Sequence, residues 1–194
     1  MNEFLIYFNL GLSHVLDWNA YDHVLFLIVL VASYTFLEWK RVFWLVTTFT
    51  LGHTLALILA TFNIVRVNST YVELLIPITI FITALYNIFR AGKSNKEGGV
   101  SILIVTTLFF GVIHGLGFSS FFMGSVGSGK DKFVWLMEFA LGIEAAQAIV
   151  VTCVLILALI FQSIFNFSKR DWVLVVSSIV IGLVIPILLA NNIF

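Results

Sequence analysis

Charge is what this sequence has least of. Only 10% of its 194 residues are Asp, Glu, Lys or Arg, ten of each sign, and the formal net charge is zero. So sparse and balanced a chain carries no electrostatic footprint for nucleic acid or for an acidic partner. Cysteine is limited to Cys153, which excludes an intrachain disulfide and any thiolate cluster. With no cluster of methionines either, a soft Cu(I) site has no ligands. The opening residues, MNEFLIYFNLGLSHVLD, place no Lys or Arg before their apolar run and contain no small-residue cleavage site. They are therefore not expected to form a signal peptide, and neither end carries a lipidation motif.

What fills the chain is apolar. Hydrophobic residues make up 61% of it, and the mean hydropathy is +1.10. The expectation is an all-α, polytopic transmembrane helix bundle, a single integral membrane domain over residues 1–194. Six long helices are expected near 21–37, 42–62, 71–90, 100–123, 133–163 and 172–193. A span needs roughly 20 residues, so the first is slightly short and the fifth must tilt or protrude. Residues 4–16 cover only about 20 Å of a roughly 30 Å hydrocarbon core. They form either a short or re-entrant helix or a seventh span.

Positive charge orients the bundle. Lys40, Arg41, Arg90, Lys93, Lys96, Lys169 and Arg170 fall in alternate loops, against Arg66, Lys130 and Lys132 in the others. The richer side is expected to be cytoplasmic in a bacterial inner membrane, which puts the C-terminus outside. The segment GSVGSGKD (124–131) nearly matches a phosphate-binding loop, but Asp131 stands where Ser or Thr is required and a membrane helix precedes it. It is read as an extracytoplasmic loop. Trp18, Trp39, Trp44, Trp135 and Trp172 lie near segment ends, where interfacial anchors belong.

Ionisable residues inside spans are costly and mark function. Here they are His14, Asp17, Asp22, His23, His53, Glu73, His114, Glu138 and Glu144, which include every histidine of the chain. Counted along their helices, those in the long segments fall within about 17 Å of the outer surface. The inner half holds neutral polar groups such as Thr79, Thr83, Asn87, Thr106, Thr107 and Thr152. Glu144 and Gln147 share a helix face, as do His14 and Asp17. Asp22 and His23 are adjacent, so one can bind while the other orients. Gly111 and Gly115 flank His114 in a G-x-x-x-G pattern that lets helices approach closely. Imidazoles with carboxylates suit a divalent transition metal such as Ni, Co or Zn. Glu73 and Glu138 lie near helix ends, where a structural role competes, and Asp17 can simply end the first helix.

Four segments in order, SHVLDWNAYDHVLFLIVL, FTLGHTLAL, FGVIHGLGF and ALGIEAAQ, resemble the HupE/UreJ family of membrane proteins, linked to nickel or cobalt uptake. The resemblance covers most of residues 10–150. It implies metal ligation by His14, Asp22, His23, His53 and His114, with Glu144 and Gln147 completing or orienting the shell. The expected function is uptake of a divalent metal by a permease driven by a gradient or by trapping, without a catalytic residue. The expected partners are the metal ion and the bilayer, with a membrane-protein partner or a homo-oligomer left open. Two alternatives stand beside it. One is an outward-opening Zn-type hydrolase with Glu144 or Asp22 as base. The other is a metal-stabilised structural subunit of a membrane complex. An inner half without ionisable groups leaves the exit of an ion unexplained.

Overall fold

The computed structural model describes residues 3–93, 99–125 and 131–190. Most of the GSVGSGKD loop and the last residues of the final expected span lie outside them. The described residues form helices α1 (Glu3–Val15), α2 (Asp22–Val31), α3 (Trp39–Thr61), α4 (Ser69–Arg90), α5 (Gly99–Ser125), α6 (Lys132–Ser163) and α7 (Lys169–Ala190). The all-α bundle is as expected. Five helices, α3 to α7, are long and apolar enough to cross a membrane, and large apolar side chains such as Leu37, Phe89 and Leu189 stand exposed on the outside. A soluble protein would not carry such a surface; this is a multi-pass membrane protein.

The departure is in the first expected span. Instead of a helix over 21–37, α2 has 10 residues, about 15 Å. The chain then runs irregularly to Thr35, whose backbone is extended at φ −112° and ψ 166°. The Glu38 carboxylate accepts the Thr35 N–H at 3.1 Å and its hydroxyl at 3.2 Å. This capping box starts a new helix and so ends continuity with α2. A 3-10 turn, Phe36–Glu38, leads directly into α3. α1 has 13 residues and is not among the helices long enough to span.

Glycines set the closest approaches. A methyl group on Gly11 would collide with the Phe139 carbonyl, and one on Gly142 with the Phe8 carbonyl, so α1 lies directly on α6. α3 and α5 meet in the same way. Gly111 faces the Phe49 carbonyl and Gly115 the His53 carbonyl. The partner on α5 advances as α3 advances, so the two helices run parallel. Phe26, Phe49, Phe122 and Phe139 are fully buried in the core. Trp172 departs from its expected interfacial role: it is 7% exposed and packs on Phe161, ring centroids 5.5 Å apart.

Candidate metal centre

Each imidazole reaches the centre from a different helix. His14 comes from the last turn of α1, His23 from the start of α2, His53 from α3 and His114 from α5. The α3–α5 contact lies at this level of the bundle, because Gly115 abuts the backbone carbonyl of His53, and His23 is the ring that neighbours both His53 and His114. Ring centroids lie 4.5 Å apart for His14–His23, 5.0 Å for His23–His114, 5.6 Å for His14–His53 and 5.7 Å for His23–His53. Two sets of side chains could hold an ion: His14, His23 and His53, and Asp22, His23 and His114. Within each set the ligand atoms lie within 4.8 Å of one another.

Hydrogen bonds decide which nitrogens face the centre. The Asp22 carboxylate can only accept, so His23 Nδ1, 3.0 Å away, donates to it and leaves the Nε2 lone pair free. The Thr79 hydroxyl spends its single hydrogen on the Ile76 carbonyl at 2.7 Å. Towards His114 Nε2, 3.4 Å away, it can therefore only accept, which leaves the lone pair of His114 on Nδ1. Both free nitrogens are buried without a partner, as are His14 Nε2 and both nitrogens of His53. An unsatisfied buried polar atom costs about 1–3 kcal/mol. Five in this region are a standing penalty, and a cation held by either set would relieve part of it.

The surroundings are dry. Phe118 packs against His14 at 3.6 Å between ring centroids, and Phe49 and Phe26 lie 5.1 and 5.3 Å from His114. Excluding water strengthens every ion–ligand interaction inside.

Glu144 and Gln147 do not enter the imidazole group. Thr47 and Thr50 donate to the Glu144 carboxylate at 2.6 and 2.5 Å. Thr50 also lies 2.9 Å from the Gln147 amide oxygen. This polar patch joins α3 to α6 one helical turn from His53. Asp17 is exposed and accepts from the Asn19 backbone at 2.9 Å, so it closes a turn instead of pairing with His14. Glu73 is exposed. Glu138 holds one buried oxygen without a partner, away from the histidine groups. Thr152 is exposed as well.

The half of the bundle toward Arg41 and Arg90, where the sequence offers no ionisable exit, contains space. A cavity of about 160 Å³ is lined by Phe26, Phe110, Thr83, Thr106 and Thr107 among others. It shares Leu30, Thr83, Tyr86 and Leu103 with a larger cavity of about 730 Å³ at the end of the bundle that bears Arg41 and Arg90. Thr79 and Thr83, one turn apart on α4, run from His114 to the smaller cavity. The roles of Thr47, Thr50 and Thr79 are not distinguishable by sequence, because threonine is common in membrane helices. The Gly11–Gly142 contact had a visible signal, small residues facing each other on two apolar helices.

No curated protein and no solved structure matches the chain. A family model described as HupE / UreJ protein matches residues 1–192, nearly the whole length. This accords with a buried histidine and carboxylate group of the kind that handles transition metals, and the chain belongs to the HupE/UreJ family.

Proposed function

We propose that this protein takes up a divalent transition-metal ion, nickel or cobalt, across the bacterial inner membrane. His14, His23, His53, His114 and Asp22 form the binding station. The observation that carries this reading is the set of five buried, unpartnered imidazole nitrogens on four helices. Ligands supplied by separate helices can open and close on an ion as the helices shift, which a permease requires. Glu144 and Gln147 act at one remove, fixing α3 through Thr50 and so holding His53 in place.

Position supports uptake. Along α3, His53 lies about 18 Å from Arg41 and about 12 Å from Thr61. The basic end is cytoplasmic by the positive-inside rule and the C-terminus is outside. The station thus sits in the outer half, and Thr79 and Thr83 lie between it and the smaller cavity on its cytoplasmic side. The hydrolase alternative needs a carboxylate free to deprotonate a metal-bound water. Glu144 is engaged by two threonines and Asp22 by His23, and neither supports that role.

Reconstitution in proteoliposomes tests the reading. Nickel or cobalt should accumulate inside, and His114→Ala should abolish accumulation while the protein still folds. Tight binding without any crossing would sink the transport reading and leave the structural-subunit alternative.

A further inference from the structure

The cavity of about 730 Å³ lies where the chain leaves α2, with Leu30, Ser33 and Tyr34 among its lining residues. Its rim carries Arg41, Arg90, Lys93, Lys169 and Arg170, with Glu38 the one carboxylate among the described lining residues. Glu38 is already engaged, 3.6 Å from Arg41 and 3.4 Å from Lys169. Arg90, Lys93 and Arg170 have no carboxylate partner among the described residues.

The backbone gathers these cations deliberately close. α4 ends in Gly92 at φ +81°, a left-handed conformation that glycine accepts. A side chain there would meet Arg170 Cδ at 3.1 Å, so the bare glycine lets Arg170 lie over the end of α4, and Arg90 and Arg170 line the same cavity. Arg90 packs against Tyr86, its Cζ 5.9 Å from the ring. Its Nε is buried without a hydrogen-bond partner. Away from the rim the walls are mostly apolar, including Leu30, Leu45, Leu103 and Val173, with Ser33, Thr83 and Asn87 the small neutral polar groups among them.

A cationic rim over an apolar throat fits an amphiphile better than a free anion. We propose that this cavity binds an anionic phospholipid, its phosphate at Arg90, Lys93 and Arg170 and an acyl chain in the throat. The site is independent of the imidazole group. Only its consequence for transport rests on the reading above: the phosphate offsets positive potential where a cation would leave.

Native mass spectrometry of the detergent-purified full chain tests this. Phosphatidylglycerol and phosphatidylcholine are supplied at equal concentration, with inorganic phosphate as a separate competitor. The wild type should retain phosphatidylglycerol selectively. The triple variant Arg90→Gln, Lys93→Gln, Arg170→Gln should lose that selectivity, by about fivefold per charge removed. Lys40→Gln, outside the cavity, should keep it. Should the triple variant fail to fold, Lys93→Gln at its exposed position alone should show about a fivefold loss. Equal retention of both lipids, or unchanged selectivity in the variants, overturns the proposal. Displacement by millimolar inorganic phosphate assigns the rim to a free anion and overturns the lipid assignment. Metal binding at the histidines, measured on the same samples, separates a failure here from a failure of the transport reading.

Discussion

Gly115→Ala is a one-methyl change that should disable the metal centre without touching a ligand. The added methyl would overlap the His53 carbonyl and press on Ala56. An ordinary carbon–oxygen contact is about 3.3 Å, so α3 and α5 must part by about 1 Å at this point. These helices carry His53 and His114. Zinc-like ions hold nitrogen at about 2.0–2.1 Å, which puts opposing ligand atoms no more than about 4 Å apart. The ligand atoms of each set lie within 4.8 Å of one another, with His53 in one set, His114 in the other and His23 in both. Parting α3 from α5 displaces His53 or His114 from the His23 ring that each must share an ion with. Metal affinity should fall by about 10- to 100-fold, the range seen when the support of a metal ligand is disturbed. Overpacking of this kind should also cost about 1–3 kcal/mol of stability. Isothermal titration with nickel in detergent, with thermal unfolding alongside, measures both. Gly182→Ala is the control, since nothing among the described residues lies within 4 Å of a methyl there. If Gly115→Ala binds nickel within twofold of wild type, the close α3–α5 contact does not set the geometry of the centre.

Other substitutions probe the supports. Thr79→Val keeps the shape but removes the acceptor facing His114 Nε2, so nickel affinity should fall by about tenfold. The ¹⁵N shifts of His114 in the metal-free protein should then show mixed tautomers, and an unchanged single tautomer would count against the assignment. Thr50→Val removes the hydroxyl that bridges Glu144 and Gln147. It should cost about 1–3 kcal/mol, seen as a lower unfolding temperature, with a smaller loss of metal affinity than any histidine variant. No shift in unfolding would show that the α3–α6 patch contributes nothing.

Much of the candidate site was legible because buried histidine is so unfavourable in lipid that each one signals a partner. His14, His23, His53 and His114 stood out one by one, and the common depth of His23, His53 and His114 suggested convergence. The assignment of Glu144 and Gln147 was less secure. Sequence places them on one face of α6, but it cannot say that Thr47 and Thr50 meet them there instead of an ion. The break after α2 was partly readable. No charged residue interrupts 24–37, and a lack of charge does not report backbone direction. Thr35 and Glu38 nonetheless stand at the T-x-x-E spacing of a capping box.

Sequence alone determined the class of the molecule: an all-α membrane bundle with ionisable groups inside apolar helices. These follow from local properties, since side-chain transfer energies and the fixed rise of a helix need no knowledge of neighbours. Tertiary structure decided which helices touch, and so which nitrogens share a centre, where a threonine selects a tautomer and where the basic residues surround a cavity. Those are distances between segments far apart in the chain. They depend on backbones that approach only where glycine removes the side chain between them.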